Sequence, residues 1–232
     1  MGSTASPTGR DLTDLVQARK SCQVCVNLSP GRIHSGSFFD FDPDVISYWS
    51  QWLGHPRPEL LIVGQDFGDT KYFSDFSGFD DPNSETNANL YELLRHIGYT
   101  PTRPPIPDPN TPVFLTNSVL CLKEPPMNSK LRDSWIKACA SRHLLPLIKR
   151  LDPAIVIAMG KPAWLAARIC FGIPDGPEKI SSAAGRAWRL RSGTYVYPVG
   201  HCGGLGIRNR PWRQQLNDWS RIAAKLNDIR RS

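Results

Sequence analysis

Two polar clusters stand where short apolar runs of this chain end. His201 follows the run YVYPVG and opens a glycine-rich stretch, HCGGLG, while Gln65 and Asp66 follow ELLIVG 135 residues earlier. A carboxylate so placed can orient a water molecule or stabilise a developing cation, and an imidazole can hydrogen-bond an oxygen on which negative charge gathers. Asn117 closes a third run, VFLTN, and its amide, which both donates and accepts, can read the edge of a heterocyclic base. Singly, each also suits a structural role: Asp66 as a helix cap, Asn117 as a turn former, His201 as a residue that follows a strand. Their common placement just beyond apolar runs favours chemistry.

Further groups surround these three. Phe67 follows Asp66 and is a substrate-contact candidate, and Tyr72, Phe73, Phe76 and Phe79 come soon after; any of them can stack on an extruded base or pack in the core. Cys22 and Cys25 form a C-x-x-C pair, and Cys121 and Cys139 can complete a four-thiolate set. That set suits either zinc or an iron–sulfur cluster, the alternative being buried reduced thiols, which Cys170 in an apolar helical stretch fits well. Gly160-Lys161-Pro162 lacks the preceding glycine spacing of a phosphate-binding loop, and no GxGxxG is present, so nucleotide hydrolysis and dinucleotide chemistry are disfavoured.

The elements that must position these residues alternate. ELLIVG, VFLTNSVL, PAIVIAMG and YVYPVG read as strands; NANLYELLRHIG, DSWIKACASRHLLPLIKRL, KPAWLAARICFG and RNRPWRQQLNDWSRIAAKLNDIRR read as helices. Gly98 is the expected stop of the first helix, and PTRPPIPDPNTP a proline-stiffened loop. This pattern predicts an α/β protein, a single three-layer α/β/α domain over residues 11–232 with a central, mainly parallel four-stranded sheet, preceded by a flexible segment at 1–10. Ligands of such sheets collect at the carboxyl ends of the strands, where Gln65, Asp66, Asn117 and His201 fall.

The formal charge of +7 is unevenly spread: residues 1–184 hold 18 Lys or Arg against 19 Asp or Glu, and residues 185–232 hold ten against two. The basic excess beside His201 points to a polyanion, nucleic acid before lipid, as partner. No stretch approaches 18 apolar residues and no basic segment leads into an apolar signal core, so a cytoplasmic protein with no membrane partner is expected.

In this order, IVGQDFGD, FLTN, PAIVIAMG and HCGGLG resemble the uracil-DNA glycosylase superfamily over about residues 20–222. The resemblance implies hydrolysis of the N-glycosidic bond of a flipped deoxyuridine, which leaves an abasic site in single- or double-stranded DNA and initiates base excision repair. By likeness to the classical family, Asp66 activates water and stabilises the cationic sugar, Gln65 holds the pyrimidine, Asn117 reads uracil, and His201 hydrogen-bonds its O2. Phe79 matches the stacking aromatic by its spacing from Asp66. Where the family's groove-entering loop commonly reads His-Pro-Ser-Pro, this chain has His201-Cys202-Gly203-Gly204; Leu205 is then the nearest wedge, and Arg208 and Arg210 are candidate phosphate ligands. The classical motif continues with Pro and a thymine-excluding Tyr, replaced here by Phe67 and Gly68, so the thymine methyl must be excluded in another way. Cys22, Cys25, Cys121 and Cys139 are similar to the four ligands of a structural [4Fe–4S] cluster in the thermophile-type family. A monomer is expected. The competing readings are a glycosylase for another damaged base such as hypoxanthine, and a noncatalytic DNA-binding module with a structural metal.

Overall fold

A computed structural model describes residues 11–25, 45–76, 81, 83–173 and 179–232, with the backbone of 32 and 33. The flexible start expected at 1–10 lies outside these residues. The first helix, α1 (Thr13–Lys20), precedes the short strand β1 (Arg32–Ile33) and helix α2 (Tyr48–Trp52). Ser47 caps α2, its hydroxyl accepting from the Ser50 amide while the Ser50 hydroxyl accepts from the Ser47 amide.

The sheet is built from β2 (Leu60–Gly64), β3 (Val113–Asn117), β5 (Ile155–Met159), the edge strand β6 (Trp188–Arg189) and β7 (Tyr195–Val199). Its order is β3-β2-β5-β7-β6, with the first four parallel and β6 antiparallel to β7. Every residue of β2, β3 and β5 is buried, which is why these runs are apolar instead of alternating, with only Thr116 and Asn117 at the end of β3 polar: helices cover both faces. The count is therefore five where four were expected. The added strand is two residues long, below the length at which a period can be read. A separate two-stranded ribbon joins β1 to β4 (Leu122–Lys123).

Helices α3 (Thr70–Asp75) and α4 (Glu85–His96) link β2 to β3, and α4 ends just before Gly98 at φ +90°. The helix expected over 133–151 is α5 (Asp133–Cys139), a π-helical turn (Ala140–Leu144) and α6 (Leu145–Leu151). α7 (Lys161–Phe171) packs on α5, the π turn and the sheet. A short α8 (Ile180–Ala183) precedes β6. The expected terminal helix is broken at Pro211 into α9 (Gly204–Asn209) and α10 (Trp212–Arg231), since proline cannot supply the amide a continuous helix needs. α10 packs on α4 and β7, completing the opposite layer. Trp52, Trp164 and Trp219 are fully buried within the core. No helix among the described residues is long and apolar enough to cross a membrane.

Candidate active site

Parallel register brings the polar strand ends together. Gly64 pairs with Asn117 and Met159 with Val199, so Gln65, Asp66, Asn117, Gly160 and His201 gather along one edge of the sheet. In chain order the parallel strands run 2-1-3-4, and the order reverses between β2 and β5, where an α/β sheet opens a crevice. A cleft of about 780 Å³ lies there, with Gln65, Asp66, Lys123 and His201 in its wall.

Asp66 is held from two sides. One carboxylate oxygen accepts from the Gly68 amide at 3.2 Å, and the other pairs with Lys123 Nζ at 3.0 Å. Both side chains are nearly out of water, 7% and 8% exposed, so each charge depends on the other. Lys123 sits on β4, and its amide donates to the Gly68 carbonyl. It was not foreseen as a site residue; the available signal was one cation at the end of the apolar run SVLCLK.

His201 is neutral at physiological pH, because burial pushes its imidazole from the ordinary 6.5 down to about 4. Its Nδ1 accepts from the Gly203 amide at 3.0 Å, which puts the ring proton on Nε2. The glycines around it permit close packing. Gly203 and Gly204 meet the start of α4, where an added Cβ would lie 2.6 Å from Thr86 Oγ1 and 2.7 Å from Glu85 Oε2 respectively. At Gly206 it would collide with the His201 carbonyl. From α4, Asn89 donates to the Cys202 carbonyl at 2.7 Å; from α10, Gln215 donates to the His201 carbonyl at 3.1 Å. The loop thus rests on two long helices.

Asn117 is 2% exposed, and among the described residues neither its Oδ1 nor its Nδ2 has a hydrogen-bond partner. A buried amide left empty on both sides loses about 1–3 kcal/mol per unsatisfied group. It lies under Gly64, where a Cβ would come within 2.6 Å of its Oδ1 and 2.4 Å of the Trp49 ring. The Gln65 carbonyl is fixed by the Ser118 hydroxyl at 2.7 Å and the Val119 amide at 3.0 Å. Between Gln65 and His201 stands Gly160 at φ +87°, a backbone conformation that favours glycine.

The expected aromatics divide. Tyr72 borders the cleft, whereas Phe73 is buried in the core. Phe67 is fully buried and packs on Tyr48 with ring centroids 5.2 Å apart. It supports the GQD turn from behind and offers no ring to the cleft. Phe79 lies outside the described residues. Tyr48 and Trp49, from α2, line the cleft unforeseen; nothing local in YWSQW distinguishes cleft aromatics from core ones.

Leu205 stands on the cleft rim with 64% of its surface exposed, and Arg208 is exposed one turn further along α9. Arg210 is differently placed. Its guanidinium is engaged by the buried Asp218 through Nε and, at 2.6 Å, through Nη2. It braces α10 against the loop, so the phosphate role expected of it is not available while this pair holds.

Cys22, Cys25, Cys121 and Cys139 line one cavity of about 10 Å³ between α1, the β3–β4 connection and α5, together with Arg19, Arg142 and His143. Among the described residues no three metal-ligating side chains stand in a ready-made binding group, so the fit rests on donor chemistry. Four thiols lining one cavity are donors that suit zinc or an iron–sulfur cluster, and the basic lining suits the net anionic centre that four thiolates create with either. The volume matches one water-sized occupant; a cluster would require the thiols to spread.

The model of the uracil DNA glycosylase superfamily matches residues 52–220. That span contains the whole cleft edge from β2 to the His201 loop. Comparison with curated proteins finds no match.

Proposed function

The chain belongs to the uracil DNA glycosylase superfamily, and from that premise we propose that it releases uracil from DNA by hydrolysing the N-glycosidic bond of an extruded deoxyuridine. Membership makes it a DNA glycosylase, a hydrolase of base excision repair. The choice of uracil rests above all on Asn117, a buried amide with both polar atoms unpartnered among the described residues. Uracil presents the complement, an N3–H for Oδ1 and an O4 for Nδ2, so binding supplies hydrogen bonds that the free protein lacks.

In this reading His201 donates from Nε2 to uracil O2, where charge accumulates as the C1′–N1 bond breaks. A neutral imidazole stabilises the departing anion without first giving up a proton. Asp66 faces C1′, stabilises the oxocarbenium-like sugar and orients the water that adds to it. The water proton leaves through the carboxylate, and the products are an abasic site and free uracil. Lys123 pairs with Asp66 in the free protein. Its ammonium must swing aside as the sugar becomes cationic, since like charges a few ångströms apart in a water-poor site repel by several kcal/mol. Gln65 holds the pyrimidine, and Tyr48 or Tyr72 offers a ring face to it in addition to the aromatic expected at Phe79. Leu205 fills the gap left by the flipped base, and Arg208 meets a phosphate. The protein acts as a cytoplasmic monomer.

Cys22, Cys25, Cys121 and Cys139 hold a [4Fe–4S] cluster in this proposal, supported by their shared cavity and its basic lining. When bound, the cluster supplies a covalent tie between α1, α5 and the segment carrying Lys123, not hydrolytic chemistry.

The test is cleavage of end-labelled single-stranded and duplex oligonucleotides containing one uracil, followed by alkali to break abasic sites. Strand breaks that require uracil and fall about 10²-fold or more in Asp66→Asn support the reading, given the usual worth of a positioned acid or base. Retained DNA binding with intact uracil in the wild type would transfer the activity to another lesion such as hypoxanthine, or leave a noncatalytic module.

A further inference from the structure

Gly68 occupies the position where the classical motif carries its thymine-excluding side chain, and the space above it is filled from elsewhere in the chain. A Cβ on Gly68 would lie 2.9 Å from both Cε and Sδ of Met127 and 3.4 Å from Tyr72 Cδ1. Carbon atoms in contact need about 3.5–4.0 Å, so the Met127 thioether already fills this space, and a methyl group added at Gly68 would have to displace it. Gly68, Tyr72 and Met127 all line the cleft. Met127 is 41% exposed, so its thioether is open to a ligand in the cleft that it lines.

Its backbone is pinned on both sides. Upstream, Lys123 is tied to Gly68 by a backbone hydrogen bond of 3.2 Å and to Asp66 by the buried ion pair. Downstream, the Ser129 amide donates to the Pro126 carbonyl at 2.8 Å, closing a turn with Met127 inside it. Topology gives the side chain its direction relative to the base. His201 follows β7, whereas Met127 lies beyond β3 and β4, and β3 and β7 are separated in the sheet by β2 and β5. In a pyrimidine, O2 and C5 are at opposite ends of the ring. A base whose O2 meets His201 therefore turns C5 toward the wall formed by Gly68, Tyr72 and Met127.

We propose that Met127 is the residue that reads carbon 5 of the base, its thioether standing over Gly68 as a barrier that admits C5–H and resists a C5 substituent. The inference rests on the uracil reading above. Methionine is unbranched and adaptable, so the barrier grades substituents by size and does not reject them absolutely.

The experiment measures single-turnover excision by the full chain of uracil, 5-hydroxymethyluracil and thymine from single strands, where no base pair has to be opened. It compares the wild type, Met127→Ala and Met127→Leu, with thermal melting of each. The expected result is a uracil preference in the wild type that narrows about 10- to 100-fold in Met127→Ala, the range that pocket contacts of methyl size command, and is largely kept in Met127→Leu. An unchanged preference in Met127→Ala, or equal losses on all three bases, would overturn the role of Met127 while leaving the uracil reading intact. Absence of uracil release by the wild type would overturn that reading, and the barrier with it.

Discussion

Acidification tests the tautomer assigned to His201. In the folded protein its imidazole titrates at about 4, against 6.5 for an ordinary histidine. At 1.36 kcal/mol per pH unit, burial disfavours the imidazolium by about 3 kcal/mol. The folded state binds this proton less readily than the unfolded chain, so the stability tied to neutral His201 is complete above about pH 6.5. It declines as pH falls toward 4, where the folded form takes up the proton. Catalysis follows the same group: the neutral ring accepts from the Gly203 amide at Nδ1 and presents Nε2–H to the substrate, whereas protonation at Nδ1 sets N–H against N–H there and unseats the ring from the loop. Uracil excision should therefore show no step between pH 8 and about 5, then fall. Single-turnover cleavage across that range, paired with an NMR titration of the histidine rings assigned through His201→Ala, reads both quantities. Carboxylates in general take up protons at acid pH, so the decisive region is pH 6–7. An inflection there that follows the titration of His201, or a rate that rises on acidification through it, would refute the neutral-donor argument.

Lys123→Met should lower stability by about 3–5 kcal/mol, because it removes the cation beside the buried Asp66 carboxylate; Asp66→Asn combined with Lys123→Met should recover much of that loss, as denaturant melts would show. Arg208→Ala should weaken DNA binding and reduce the dependence of log K on log salt by about one charge, whereas Arg210→Ala should leave that slope unchanged and lower the melting temperature by exposing the partner charge of Asp218. Protein purified without oxygen should contain iron and inorganic sulfide in equal amounts, and Cys121→Ser should lose both; zinc alone would replace the cluster by a zinc centre, and metal-free protein that folds normally would leave the thiols as core residues.

The sequence by itself determined the scaffold and its working edge. The runs at 60–64, 113–116, 155–159 and 195–199 are apolar at every or nearly every position, Thr116 being a polar exception, because the sheet is covered on both faces, and that signal is local. Gln65, Asp66, Asn117 and His201 could be picked out because each follows such a run, and parallel strands deliver their carboxyl ends to one edge. Tertiary structure decided what each polar group meets. Lys123 becomes the partner of Asp66 only when β4 folds back beside Gly68, and Arg210 turns from phosphate ligand to brace because α10 sets Asp218 beneath it. Phe67 adjoins Asp66 in sequence, yet its ring is buried against Tyr48 while the carboxylate borders the cleft. Met127 reaches Gly68 across 59 residues of chain. Composition and periodicity report which residues are buried; contacts between distant segments depend on how the layers pack, and no local pattern encodes them.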